Sequence, residues 1–494
     1  KMLLLLLGLA AAWSVAAKVT LPDAIGSNMV LQQNTDVKLW GWADPHAAVK
    51  VEASWGAKAS AKSDGGGRWE VTLKTPAGSY DPQRIIVASG DRQVLDNVLI
   101  GEVWFCSGQS NMDMPLGGYW NGLIEGGNEV IACADAQRNR IRFLKVAYSQ
   151  GYTPQERVPG VWNEFTTATA ARCSATAYFF AEMLSRALDV PVGVIDSSWG
   201  GSRIECWTPR AALETYPDID LDEKAVADLP DYMRPMAMYN AMVYPLTRYT
   251  VRGLLWYQGE SNIGHHTEYA ARMADMVAGW RAQWGLGELP FYFVEIAPFG
   301  YGKGLATYLR EAQCRAQALI PGSGMVSTND LVLPCEEGNI HPRDKRSVGK
   351  RLAFWALNRT YGRKDVACEN MQFRSMEVRD GKAYLSFDNT FGGFGRAFDL
   401  RGFEVCGADR MFRPAQVHAL RLPRLPAGQR GQHPRASPRA VPHRRFLTRN
   451  HQSETYETNT AACRRPCRGM DRRREGHPSG DHRRQYGVAT KHRS

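Results

Sequence analysis

The segment Gly101-Glu102-Val103-Trp104-Phe105-Cys106-Ser107-Gly108-Gln109-Ser110-Asn111-Met112 sets a serine just past an apolar run, among small and polar neighbours. A hydroxyl placed there faces the crevice beyond a strand's carboxyl end. Gly108 permits a tight strand-to-helix turn, and the amide after such a turn points at a developing oxyanion. That is acyl-transfer chemistry with Ser110 as nucleophile. A serine at a strand end equally caps a helix, so this segment alone does not decide. Three others bear on it. Ser197-Ser198-Trp199-Gly200-Gly201-Ser202-Arg203 carries a glycine pair that lets a backbone N–H come close to a substrate oxygen, although ordinary loops use the same residues. Trp256-Tyr257-Gln258-Gly259-Glu260-Ser261-Asn262 offers Gln258, a neutral amide suited to an oxyanion because it does not titrate, or to a buried polar network. Asn339-Ile340-His341-Pro342 supplies an imidazole. Of the histidines before Gln416, His46 lies in a β-patterned region and His265 and His266 in a loop, which leaves His341 as the natural base. Asn111 and Glu260, inside two of these segments, are expected to touch substrate.

These residues need a scaffold that ends several strands at one edge. Residues 18–98 alternate apolar and polar in short runs, such as Val49-Lys50-Val51-Glu52-Ala53 and Trp69-Glu70-Val71-Thr72-Leu73, broken by turn signals such as Ser63-Asp64-Gly65-Gly66-Gly67. Period two with frequent breakers predicts a small β-sandwich. Over 99–362 strands alternate with helices. Strands are predicted at 98–105, 190–195, 253–257, 290–296 and 324–327, and helices at 175–188, 268–284, 306–320 and 345–361. That succession implies an α/β fold, a parallel sheet with helices on both faces and its chemistry at the strands' carboxyl ends. A partial β-region follows over 363–415.

The ends of the chain read differently. Residues 1–17 set a basic start before the apolar run Leu3 to Ala12 and close on Ser14-Val15-Ala16-Ala17, the pattern of a secretory signal peptide. A secreted or periplasmic protein with no membrane span after its removal is expected. The sequence pI near 9.1 invites a nucleic-acid reading, but the charge is concentrated. From Gln416 on there are 17 arginines and one lysine against five acidic residues, whereas residues 1–415 carry 43 basic and 45 acidic side chains. The basicity therefore says nothing about what the body binds, and no nucleic-acid partner is expected. The Arg/His/Pro-rich tail, 416–494, is either a solvated basic segment or the product of a shifted reading frame. The lysine-to-arginine balance passes from 14 against 29 to 1 against 17 at that point, in mid-module. The ten cysteines show no metal-ligand spacing, no metal or organic cofactor is called for, and sequence assigns no disulfide.

The segments GQSNM, SWGGSRIE, WYQGESN and NIHP, the last followed by KRSVGKRLA, occur in this order and together resemble the sialate O-acetylesterase family, within the SGNH-type esterases. The likeness runs from Leu21 to Pro414 and includes Met29-Val30-Leu31-Gln32 and Trp40-Gly41-Trp42 of the leading β-module. It implies an SGNH-hydrolase-like domain over 99–362 and a serine esterase acting through an acetyl-enzyme on O-acetylated sialic acid. Ser110 is then the nucleophile, His341 the base, and the amides of Ser110 and Gly201 with the Gln258 side chain the oxyanion hole. Relatives often carry an acidic residue three positions before the histidine. Here that position is Gly338, leaving Glu337 or Glu336 as the orienting acid and Asp330 as a more distant choice. Arg203 is suited to pair with a sialic acid carboxylate, or serves as a structural ion-pair partner. The alternatives are an acetylxylan or other polysaccharide acetylesterase and, in a different class, a non-catalytic carbohydrate-binding protein on the same fold.

Overall fold

The computed structural model describes residues 18–379 and 382–389; the expected leader, the tail and residues 390–415 lie outside them. The first strands are β1 (Val30–Gln32), β2 (Asp36–Trp42), β3 (Ala48–Ala53), β4 (Lys58–Lys62), β5 (Arg68–Lys74) and β6 (Ser79–Ser89). Alternate residues of β3 and β5 are buried, as the period-two pattern predicts. β2 and β5 pair antiparallel as a separate two-stranded sheet.

β7 (Asp91–Gly108) belongs to two neighbourhoods. Its beginning pairs antiparallel with β6, and Leu99–Gly101 pair in parallel with β1. From Glu102 onward it is the middle strand of the sheet that carries the chemistry. That sheet adds β8 (Ile141–Val146), β9 (Gly160–Glu164), β10 (Val192–Ser198), β11 (Gly253–Tyr257), β12 (Phe291–Val294) and β13 (Ser323–Val326), in the order β13-β12-β11-β7-β10-β8-β9. All neighbours run parallel except the edge pair β8/β9. The sequence reading missed β8 and β9.

Both faces of this sheet are covered, so the inner strands β11 and β12 are apolar throughout, and the sheet sorts its side chains by parity. Phe105, Ile195, Leu254, Trp256 and Phe293 face one core, shared with helices α5 (Tyr269–Trp284) and α6 (Leu305–Leu319). Trp104, Cys106, Val194, Leu255, Tyr257 and Val294 face the other, with α3 (Ala175–Leu188) and α7 (Lys345–Trp355). Short helices α1 (Ser110–Asp113), α2 (Gly127–Ala132) and α4 (Arg210–Leu213) complete the set. The fold is the expected α/β arrangement with a central, largely parallel sheet.

The chain divides into two compact units, and the site lies wholly in the first, which is described from residue 18 to Met376 and resumes at Leu385. The second contributes residues 377–379 and 382–384 among the described residues, drawn from strands β14 (Gln372–Arg379) and β15 (Lys382–Asp388). The seven cysteines among the described residues are free, and no helix among them is long and apolar enough to cross a membrane.

Candidate active site

Three chain segments, following β7, β10 and β13, reach the crevice at the carboxyl side of the parallel sheet. Ser110 opens α1 two residues after β7 stops. The turn before it works because Gly108 has φ +141°, and a Cβ there would lie 2.1 Å from the Tyr257 carbonyl oxygen. The loop after β10 brings Gly200 against the nucleophile, where a Cβ would sit 3.4 Å from that of Ser110. Gly201 follows at φ +78°, a left-handed conformation that glycine adopts without steric cost. No acceptor engages the N–H of Gly200 or Gly201 among the described residues, and the N–H of Ser110, at a helix start, has no intrahelical partner. These amides stand without an acceptor beside Ser110.

His341 comes from the loop leading into α7 and places Nε2 2.9 Å from Ser110 Oγ, within proton-transfer reach. The ring is half-buried and lies edge-on to Tyr119, with centroids 5.2 Å apart. Burial, and then the nearby Lys345 charge, lower its pKa to about 4. Asn111, next to the nucleophile, fixes this loop. Its Nδ2 donates to the Ile340 carbonyl at 3.1 Å and to Glu260 Oε1 at 2.6 Å, while Oδ1 accepts from Lys345 Nζ at 2.7 Å. Lys345 also donates to the Pro342 carbonyl at 2.8 Å.

Several expectations are corrected by these contacts. Asn111 and Glu260 were expected to touch substrate, but both are buried and bound to each other, so they hold the site rather than line it. Gln258, expected in the oxyanion hole, is fully buried with both Nε2 protons committed, to the Ser202 carbonyl at 3.1 Å and Asn262 Oδ1 at 2.7 Å. Tyr269 donates to its Oε1 at 2.9 Å, so it has no proton left for an oxyanion. The carboxylate expected at Glu337 or Glu336 is not at the imidazole. Glu336 pairs with Arg343 Nε at 2.6 Å, Glu337 is exposed, and the more distant Asp330 pairs with Arg351.

The group at His341 Nδ1 is instead Asn121, whose Nδ2 lies 3.3 Å away. It belongs to a tight turn in which Tyr119 and Gly122 exchange backbone hydrogen bonds. Asn121-Gly122 is a recognisable turn signal, but nothing in the sequence ties it to a histidine 220 residues away. The sequence also hid Lys145, which donates to Asp113 Oδ1 and, at 2.7 Å, to Asp196 Oδ2 beneath the nucleophile's helix. Burial alone would lower its pKa, but the Asp196 and Asp113 charges outweigh that and raise it. Tyr119 joins this network to the site by donating to Asp113 Oδ2 at 2.8 Å. Arg203 is half-buried, its Nε has no hydrogen-bond partner, and no carboxylate pairs with it among the described residues. No group of three or more metal-ligating side chains occurs among the described residues.

Residues 100–358, which hold all of these segments, match the family described as carbohydrate esterase, sialic acid-specific acetylesterase. The human sialate O-acetylesterase is 28% identical over 400 residues, covering 73% of this chain and 75% of its own, and the Pongo abelii protein gives the same figures. Among solved structures, a carbohydrate acetylesterase from Xanthomonas citri is 34% identical, covers 80% of this chain and 88% of its own, and superposes with a TM-score of 0.70. With Ser110, His341 and the glycine amides gathered at the carboxyl edge of the matched domain, the chain belongs to the sialic acid-specific acetylesterase family of carbohydrate esterases and is a carboxylic ester hydrolase.

Proposed function

We propose that this chain is an exported serine esterase that releases acetate from O-acetylated sialic acid through an acetyl-enzyme. The contact between Ser110 Oγ and His341 Nε2, at 2.9 Å, carries the reading. His341 takes the hydroxyl proton onto Nε2 as Ser110 Oγ attacks the acetyl carbonyl carbon. The carbonyl π electrons move to oxygen, and the amides of Ser110 and Gly201 hold that oxyanion. Its collapse breaks the bond to the sugar oxygen, which takes the proton from Nε2 and leaves as the free hydroxyl. Water then repeats the sequence on the acetyl-enzyme, giving acetate and regenerating Ser110.

An anionic sugar is supported by Arg203, an unpaired guanidinium three residues after the glycine that abuts Ser110. A planar fork without a protein partner suits a carboxylate ligand. Export is supported by the leader pattern of Lys1 to Ala17. The test is acetate release by purified protein from O-acetylated sialic acid and from acetylated xylan. Ser110→Ala abolishes both activities, and Arg203→Ala raises KM tenfold or more on the acidic sugar alone, the loss of about one charged hydrogen-bond pair. Equal effects of Arg203→Ala on both substrates would remove the sialic acid assignment and leave the esterase.

A further inference from the structure

The mechanism sets a condition on the imidazole. To accept the Ser110 proton at Nε2, neutral His341 must carry its own proton on Nδ1, and after the transfer Nδ1–H needs an acceptor. Aspartate usually meets both needs in hydrolases of this kind. Here no carboxylate hydrogen-bonds to Nδ1 among the described residues, and the neighbour is the Asn121 amide. Its two heavy atoms stand in contrast. Nδ2 lies 3.3 Å from Nδ1 and 3.5 Å from Asn339 Oδ1, whereas Oδ1 is buried with no hydrogen-bond partner. With Nδ2 donating, Nδ1 is the acceptor, Nε2 carries the proton, and the ring cannot act as a base. A half-turn of the amide exchanges the two atoms and presents Oδ1 to Nδ1–H. It moves Nδ2 into the buried position that Oδ1 leaves and gives up the long contact to Asn339, whose own amide stays fixed by the His341 N–H at 2.9 Å and the Asn121 carbonyl at 3.2 Å. The turn thus satisfies an otherwise orphaned oxygen and sets the catalytic tautomer together.

We propose that Asn121 is the positioning residue for His341, a neutral amide in the place of the triad carboxylate, whose carbonyl holds the proton on Nδ1. This rests on the Ser110–His341 reading. A neutral partner aligns the ring and accepts from Nδ1–H but adds no charge, so the imidazolium is held less firmly than by a carboxylate. The other groups around the ring do not compensate. Lys345, its pKa drawn down by burial to about 7, brings positive charge when protonated, Glu260 Oε1 is taken by Asn111, and Asp113 is reached only through the Tyr119 hydroxyl. Asn121 acts through the histidine and touches no reacting atom.

The experiment compares Asn121→Asp, Asn121→Leu and Ser110→Ala on one soluble acetyl ester. Asn121→Asp is expected to move the acid limb of kcat/KM upward by about one pH unit or more, as an adjacent carboxylate does for an imidazole. Asn121→Leu is expected to lower kcat by about 10²-fold with KM unchanged. Wild-type kcat and an unshifted pH profile in both variants would overturn the proposal. Should Asn121→Leu lose thermal stability as well, proton–nitrogen NMR of histidine-labelled wild-type protein decides independently of turnover. A proton on Nδ1 of His341 supports the proposal, and one on Nε2 overturns it. Activity persisting in Ser110→Ala would instead remove the underlying esterase mechanism, a separate outcome.

Discussion

Asn111 Oδ1 accepts from Lys345 Nζ at 2.7 Å, a bond that spans 234 residues of chain and ties the nucleophile's helix to the histidine's. With Nδ2 on the Ile340 carbonyl and on Glu260, this one amide links the segment of Ser110 to that of His341. Asn111→Ala is therefore expected to leave the buried Glu260 carboxyl without its donor and the buried Lys345 amine with only the Pro342 carbonyl, costing on the order of 3 kcal/mol in urea unfolding, and to lower kcat because the histidine loop is no longer held. Unchanged stability with normal turnover would show that the loop is positioned by something else.

The pH dependence follows from the imidazole. Burial and the Lys345 charge put His341 at about 4, below its ordinary value of 6.5. A base works when deprotonated, so kcat/KM should stay level from neutral pH downward and fall tenfold per unit only below about 4. Stability follows the same group. The unfolded chain takes up this proton near 6.5, so the histidine's contribution is complete above that pH and diminishes as pH falls toward 4. A pH-rate series together with melts at each pH checks both; an acid limb near 6.5 would contradict the desolvated site.

Lys145 is the counter-charge for Asp113 and Asp196, both buried, the second with its pKa raised by that burial. Lys145→Met leaves two carboxylates facing each other with no cation between them. The expected loss is about 3–5 kcal/mol at neutral pH, the usual consequence of breaking a buried pair on one side. It should shrink as pH falls and the carboxylates protonate. Urea melts at neutral and acidic pH give the comparison, and a pH-independent loss would point to packing rather than charge.

Strands and helices of the matched domain were legible because their patterns are local. Apolar runs such as Gly253–Tyr257 and the three-and-four spacing of Tyr269–Trp284 follow directly from burial on two faces and on one. β8 and β9 were not, since Ile141–Val146 has Arg142 and Lys145 in it, and only the fold reveals that Arg142 is buried against backbone carbonyls of Asn28 and Asn97. Ser110 and His341 could be singled out because acyl-transfer chemistry limits which residue types serve, and the fold sets them 2.9 Å apart. Asn121 could not, because an amide next to a glycine reads as a turn until tertiary structure sets it beside the imidazole. Gln258 reads differently in sequence and fold for the converse reason, as a sequence displays a donor group without showing what already occupies its protons.

Gln258→Ala separates those two readings of one side chain. A direct oxyanion donor, when removed, costs about 10²- to 10³-fold in turnover and little stability. A buried linker behaves in the opposite way. The Gln258 side chain joins the Ser202 carbonyl, Asn262 and Tyr269, so truncation empties a fully enclosed site, leaves the Ser202 carbonyl unpaired and takes one bond each from Asn262 and Tyr269, which keep those to the Ile204 N–H and the Gln258 backbone carbonyl. The expected result is a loss of about 2–4 kcal/mol in unfolding free energy, from unpaired groups and the cavity together. Turnover in the folded fraction should fall by less than about tenfold, a small share of the loss given by a direct oxyanion donor. The measurements are a urea titration and active-site-normalised kcat. A hundredfold fall in kcat with an unaltered melt would restore the side chain to the oxyanion hole, and would mean that its amide reorients when the acetyl group enters.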